Sequence, residues 1–154
     1  METYQTSVLS DDQKQALRNL WNTEYPSRLE FKSLESVDRY LEGLSEVRHY
    51  LLIERGNIVG WAARFKREEQ SWFAVILSKE VQGKTEGTKL LNLLKQKEEP
   101  LYGWVIDGKE EVKRDGTFYR SPLEFYLKND FVVLENERLE LPTLSAVKII
   151  WRAR

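Results

Sequence analysis

The chain has 154 residues, of which 41% are hydrophobic and 32% charged, and its formal net charge is −1. This composition fits one folded domain and excludes an intrinsically disordered chain. The near-neutral charge predicts no binding to nucleic acid or to an anionic membrane, and the absence of cysteine excludes disulfides and thiolate metal sites. With a single histidine and no apolar run long enough to span a bilayer, we expect a cytoplasmic protein without a metal centre.

Hydrophobic periodicity predicts a mixed order of strands and helices. Ser10 and Gln13 form a capping box before an apolar helical face, and Arg55-Gly56-Asn57 is typical of a hairpin turn. The order contains no internal repeat or linker, so residues 1–154 are predicted to form a single domain. The predicted elements are a strand at 3–9, helices at 10–25 and 33–44, strands at 49–54, 58–65 and 71–77, a helix with Leu90, Leu91, Leu93 and Leu94 on one face, a strand at 101–107, a helix around Tyr126, and strands at 131–134 and 146–151 separated by a long connection containing Pro142.

The segment from Trp72 to Leu94 carries most of the functional information. An apolar strand, a glycine turn at 82–87 and a leucine-rich helix follow one another directly. A strand that enters a helix through such a turn presents unpaired backbone N–H groups at the positive end of the helix dipole. The sequence therefore predicts that this turn binds the phosphate of a cofactor.

One interpretation of this turn is the phosphate loop of a nucleotide hydrolase. Gly83-Lys84-Thr85 matches the end of that loop, and Val105-Ile106-Asp107 could serve as its acidic partner strand. The loop also requires a glycine at position 78, where this chain has Ser78. This interpretation is therefore disfavoured.

The turn resembles more closely the acetyl-CoA loop of the GNAT acyltransferases. That loop reads Gln or Arg, two variable residues, Gly, one variable residue, then Gly or Ala, between a strand and a leucine-rich helix. Gln82 and Gly87 match its ends, whereas Thr85 replaces the central glycine and Glu86 replaces an apolar residue.

Residues 121–131 resemble the late helix of the same family, in which an aromatic residue and a tyrosine precede a Gly-Phe exit into a strand. Tyr126 stands where the family places the tyrosine that faces the CoA sulfur, whereas Asp130 replaces the usual glycine and Tyr119 a frequent Asn. Ser121 as the cap and Glu124 three residues later predict a capping box at the start of this helix.

By this resemblance, which covers nearly the whole chain, the protein is identified as a GNAT-like N-acetyltransferase. The resemblance implies an α/β fold with a mixed, mostly antiparallel central sheet flanked by helices, as in acyl-CoA N-acyltransferases. It also implies direct transfer of acetyl from acetyl-CoA to a primary amine within a ternary complex. The acceptor would be a small molecule or a peptide, and a homodimer is compatible with the family.

The resemblance also assigns roles to residues. Main-chain groups of the strand would polarise the thioester carbonyl, and the turn would hold the pyrophosphate. Tyr126 would hydrogen-bond the departing thiolate, and Asp107 is the leading candidate for the general base, ahead of His49, Glu24 and Glu30. The predicted cofactor-binding residues are Val75, Ile76, Leu77, Gln82, Gly83, Lys84, Thr85, Glu86, Gly87 and Thr88.

Two further interpretations remain open at this level. Thr85 and Asp130 are compatible with a catalytically inactive module of the same fold that binds acyl-CoA, or with a structural subunit that dimerises through a strand edge.

The polar segment 108–119 is predicted to be a flexible hairpin, an acceptor lid or a solvated loop. Trp61 and Trp104 are core residues by default, with an acceptor pocket as the alternative.

Overall fold

The computed structural model describes residues 1–83, 85–96 and 99–154. Seven strands form one sheet in the order β1-β2-β3-β4-β5-β7-β6, with every neighbouring pair antiparallel except β4 and β5. The predicted mixed, mostly antiparallel sheet is therefore confirmed. The elements are β1 (Glu2–Thr6), α1 (Asp11–Glu24), α2 (Leu34–Glu42), β2 (Ser45–Glu54), β3 (Asn57–Arg67), β4 (Gln70–Leu77), α3 (Glu86–Leu94), β5 (Leu101–Ile106), α4 (Leu123–Lys128), β6 (Val132–Leu141) and β7 (Leu144–Trp151).

Local signals account for most of the helix ends. The capping box of Ser10 and Gln13 is confirmed, since each side chain accepts a hydrogen bond from the backbone N–H of the other residue. The predicted box at Ser121 is wrong. Helix α4 begins only at Leu123, so Glu124 is its second residue, and the Ser121 hydroxyl instead accepts the Leu123 N–H at 3.3 Å.

Two other expectations also need correction. Leu93 is 42% exposed, whereas Leu90, Leu91 and Leu94 are buried. At roughly 100° per residue, Leu93 falls outside the arc of the other three. Strands β6 and β7 are joined by a two-residue turn rather than a long connection, and β6 extends to Leu141. The residues from 135 to 140 are mostly polar, so their sequence did not predict a strand. They lie on an edge strand, where polar side chains face solvent.

The sheet carries a hydrophobic core on each face. On the α1 face, α1 and α2 pack on side chains that include Trp61, which is fully buried. On the α3 face, α3 and α4 pack on the alternate side chains of the same strands, among them Phe73. Trp61 is therefore a core residue and not part of an acceptor pocket. No helix in the described residues is long and apolar enough to cross a membrane.

Strands β4 and β5 are joined only at their beginnings. Ser71 pairs with Leu101 and Trp72 with Tyr102, after which β5 continues to pair only with β7. The next residue of β5, Gly103, lies against the ring of Phe73, so that an added Cβ would stand 2.4 Å from that ring. The two strands thus diverge and leave a cleft within the sheet.

The closed end of the cleft is held by a polar network. The guanidinium of Arg64, a buried residue of β3, donates hydrogen bonds to Ser71 Oγ at 2.9 Å, to Glu99 Oε2 at 2.6 Å and to the Leu94 carbonyl oxygen. Lys66 also pairs with Glu99, at 2.9 Å. Hydrogen bonds from Ser71 and Lys66 lower the pKa of Glu99 to about 2. The network fastens the end of α3 and the approach to β5 onto β3 and β4.

Because Gly103 has no room for a side chain, we expect Gly103→Ala to lower the free energy of unfolding by about 1–3 kcal/mol through overpacking against Phe73. Gly108→Ala is the matched control, since an added Cβ there meets no atom within 4 Å. Urea titration monitored by circular dichroism measures both. Equal stability of the two variants would contradict the close contact.

Candidate functional site

The cleft exposes backbone groups on both of its sides. Beyond Trp72, β4 has no hydrogen-bonded neighbour on its β5 side, so Val75, Ile76 and Leu77 lie along a free main-chain edge. The side chains of Val75 and Leu77 pack on the α3 face and that of Ile76 on the α1 face. An extended ligand could therefore occupy the place of a missing strand here.

The predicted phosphate turn follows directly at the open end of the cleft. Helix α3 starts at Glu86, and its first described backbone hydrogen bond runs from Lys89 N–H to Thr85 O. The N–H groups of Glu86 and Gly87 precede it and point out of the helix end. Lys84, also predicted to bind the cofactor, lies outside the described residues. Glu86, whose carboxylate would repel phosphate, is paired with Lys89 at 3.3 Å.

The turn is held in place by a side-chain hydrogen bond and by the conformation of a glycine. Gln82 Nε2 donates to the Leu77 carbonyl at 2.9 Å, and Gly83 has φ +77°, the left-handed conformation that favours glycine. Gly87 is buried, and an added Cβ would stand 3.0 Å from both Leu77 Cδ1 and Phe125 Cζ. Gly87 therefore lets α3 approach β4 and α4 closely. This close packing leaves the helix end itself facing outward.

Tyr126 lies on the α3 side of the cleft. Its ring makes edge contacts with Phe73 and Phe131, with centroids 5.5 and 5.6 Å apart. Burial, and next the neighbouring Tyr119, raises the pKa of Tyr126, so its hydroxyl keeps its proton at neutral pH. That hydroxyl bonds to no described residue, yet it is not among the fully buried unpaired polar atoms. Among the described residues, nothing therefore occupies this donor.

Three tyrosines connect the two faces of the sheet through the cleft. Tyr25, at the end of α1, packs on the α1-face core. The centroid of its ring lies 6.3 Å from that of the Tyr119 ring. Burial raises the pKa of Tyr25, and Tyr119 and Tyr126 raise it further. Tyr126 belongs to the core on the opposite face. In the sequence, Tyr119 stands out only as a departure from the family pattern, and no local pattern marks Tyr25.

The end of α1 is anchored at the open end of β4. Glu24 is 8% exposed, and its carboxylate accepts the backbone N–H of Lys79 at 2.9 Å and an ion pair from Lys113 at 3.3 Å. Glu24 thus joins three segments that are distant in sequence. This role differs from that of the solvated carboxylate or general base considered from sequence, and no local pattern signals it.

Residues 108–119, here called the strap, are docked on the link between α1 and α2. Ser27 N–H donates to the Val112 carbonyl at 2.8 Å, and Pro26 forms an antiparallel bridge with Lys113. Arg28 forms an ion pair with Glu111. Val112 and Phe118 form an antiparallel bridge, and Lys113 N–H donates to the Thr117 carbonyl at 2.8 Å, so of the three possibilities left open by the sequence the backbone shows the hairpin.

The other candidate bases are placed differently. Asp107 accepts two hydrogen bonds from Arg138, both at 2.9 Å, and these lower its pKa. A carboxylate in such a pair is a weak base. Glu30 is exposed. His49 is buried in the α1-face core, where its Nδ1 accepts the Trp61 indole N–H at 3.0 Å.

Two open surface cavities lie away from the cleft. One, of about 420 Å³, lies beside the β3–β4 turn at Glu46 and Glu68. The other, of about 530 Å³, lies between the ends of β6 and β7 at Val132 and Ile150. Within the described residues no group of acidic or histidine side chains is arranged to hold a metal ion.

Several solved structures have the same fold as this chain. No protein family and no curated protein matches the sequence. An aminoglycoside 6'-N-acetyltransferase complexed with coenzyme A matches with 14% identity and a TM-score of 0.69, over 97% of this chain and 96% of its own. The Enterococcus faecium aminoglycoside 6'-N-acetyltransferase matches with 15% identity and a TM-score of 0.68, over 98% and 96%. Escherichia coli ElaA matches with 16% identity and a TM-score of 0.66, over 99% and 100%.

Burial lowers the pKa of His49 from 6.5 to about 4, which predicts a pH dependence of stability. Between these values the unfolded chain binds a proton that the folded chain does not, so the free energy of unfolding falls as pH drops from 6.5 to 4. We expect a loss of about 2–3 kcal/mol. His49→Gln keeps an acceptor for Trp61 and should remove this slope. Identical slopes in urea titrations of both proteins would contradict it.

Proposed function

We propose that this chain, which has the fold of the GNAT acetyltransferases, is an acetyl-CoA-dependent N-acetyltransferase that acts on a primary amine. The observation that carries the proposal is the divergence of β4 and β5, with the start of α3 at the open end and the Tyr126 hydroxyl beside the cleft. The coenzyme A complex of a protein with the same fold supports the choice of ligand.

The residues present fit a CoA thioester. The free edge from Val75 to Leu77 offers backbone groups to a pantetheine arm, as a neighbouring strand would, apart from the Leu77 carbonyl, which already accepts Gln82 Nε2. The N–H groups of Glu86 and Gly87 offer donors to the pyrophosphate at the positive end of the helix dipole. Thr85 has φ −75°, a conformation open to any residue, so its replacement of the family glycine does not block the turn.

The bound thioester supplies an activated acetyl group, and the protein supplies position and hydrogen bonds. A backbone N–H from β4 would stabilise negative charge on the thioester oxygen. Tyr126, protonated at neutral pH, would donate a hydrogen bond to the leaving sulfur. Because its pKa is raised, complete proton transfer from Tyr126 would cost more than from an ordinary tyrosine.

The amine must lose a proton before it attacks. For an alkyl ammonium group with a pKa near 10.4 in water, deprotonation at pH 7 costs roughly 4–5 kcal/mol. Asp107 could accept this proton only after giving up both of its hydrogen bonds with Arg138, which would then pair only with Glu140. We therefore propose that the proton passes to solvent through water, and that Asp107 contributes mainly by holding the end of β5 to β6.

The cofactor site can be tested with Thr85→Asp. An acidic residue at the start of α3 favours the helix, through capping and the dipole, but repels a pyrophosphate. We expect calorimetric titration to show acetyl-CoA affinity reduced by about tenfold or more, with thermal stability unchanged or raised. Thr85→Asn is the matched neutral control and should retain binding. Failure of the unmodified protein to bind acetyl-CoA would overturn the acetyltransferase and favour a ligand-free structural module.

The role of Tyr126 can be tested with Tyr126→Phe, which keeps the ring packing and removes the hydroxyl. We expect kcat to fall by about 10-fold to 100-fold, because the transition state loses one hydrogen bond to a charged group. The KM for acetyl-CoA should stay within about twofold. Asp107→Asn should change kcat by less than about fivefold. Binding of acetyl-CoA without turnover of any amine would favour the inactive acyl-CoA-binding module.

A further inference from the structure

The α1 side of the cleft is lined by Tyr25 and Tyr119. Tyr25 and Tyr119 are half-buried, and their rings meet edge to face with centroids 6.3 Å apart. Neither hydroxyl bonds to a described residue. Together they present aromatic surface and two neutral hydrogen-bonding groups at the place where an acceptor would approach the thioester.

The carboxylates around this opening are already neutralised. Glu24 is paired with Lys113, Glu111 with Arg28 and Asp107 with Arg138. From Asp107 to Arg120 the chain carries four acidic and four basic side chains, so this segment has no net charge. Glu30 and Glu110 are exposed. Outside this segment, Glu24, Glu30 and Glu140 stand against Arg28 and Arg138, so the opening carries one excess negative charge, too little to attract a ligand with several ammonium groups strongly.

The docked strap also limits what can enter. A backbone hydrogen bond from Ser27 N–H to the Val112 carbonyl connects it to the α1–α2 link, and Tyr119 stands at its end. Glu24 is 8% exposed and its partner side chain, Lys113, 15%, so little of this junction faces solvent.

We propose that the acceptor is a small monocationic amine with an aromatic or apolar body, bound against Tyr25 and Tyr119. This proposal rests on the proposed acetyltransferase function and specifies its substrate class. The single ammonium group is attracted by the aromatic rings, and the apolar body gains by leaving water. A polycationic sugar or polyamine would place further charges among side chains that are already paired.

The reaction then balances without a further reactant. The ammonium loses one proton to solvent, and the amine nitrogen bonds to the acetyl carbon as the carbon–sulfur bond breaks. The second nitrogen proton reaches the thiolate, so the products are the N-acetyl amine, the CoA thiol and one released proton.

The test compares amines at saturating acetyl-CoA by measuring thiol release. Phenethylamine and tyramine represent the proposed class, and spermidine and kanamycin represent polycations. We expect kcat/KM for the aromatic monoamines to exceed that for the polycations by at least about tenfold. This is the factor expected when one aromatic contact with the substrate is made by the monoamines and not by the polycations. Binding of acetyl-CoA with equal or faster turnover of the polycations, or with no turnover of the monoamines, would overturn the substrate class.

Variants of the tyrosines provide the second measurement. We expect Tyr119→Ala to raise the KM for phenethylamine by about fivefold to tenfold through loss of ring contact, with the KM for acetyl-CoA nearly unchanged. Tyr119→Phe should retain the unmodified KM, and Tyr4→Ala, at an exposed tyrosine of β1, is the matched control. An unchanged amine KM in folded Tyr119→Ala would overturn the assignment. If the unmodified protein does not bind acetyl-CoA, the proposed acetyltransferase function itself is wrong, whatever the amine.

Discussion

The divergence of β4 and β5 is the constraint on which the rest of this structure depends. Two residue pairs join the strands at one end, and the network around Arg64 and Glu99 fastens that end to β3 and α3. Beyond it, the contact of Phe73 with Gly103 fills the space next to the last pair. A sheet whose strands part in its middle loses hydrogen bonds there, since each unpaired main-chain group must find water or a ligand. The cleft is therefore a place where an extended polar ligand can restore what the sheet lacks.

The open end of the cleft is assembled around one buried carboxylate. Glu24 holds the start of the turn after β4 through the Lys79 N–H and holds the strap through Lys113. A buried pair is costly to desolvate, and losing one partner leaves an uncompensated charge, so this arrangement is specific even where it adds little stability. It places Tyr25 and Tyr119 beside the cleft.

Much of the fold could be predicted from local pattern. The order of elements, the capping box at Ser10 and the turn at Gly56 depend on residues close in sequence, and the structure confirms them. The errors arose where local patterns were ambiguous. The Ser121 pattern matches a capping box, but the chain enters α4 too late to form one. The extent of β6 was missed because an edge strand needs no alternation of polar and apolar residues.

By itself, the sequence determined the mixed α/β class, the strand–turn–helix unit at Gly83 and Gly87, and Tyr126 as a candidate, because these follow from periodicity, turn chemistry and resemblance to known motifs. Only the tertiary structure decided which side chains meet at the cleft. Asp107 is 31 residues from Arg138, and Glu24 is 89 residues from Lys113. Tyr25 and Tyr119 also come from opposite halves of the chain. Such contacts depend on how the strands order and part, and no window of sequence contains that information, because the free energy that selects the arrangement comes from packing the whole core.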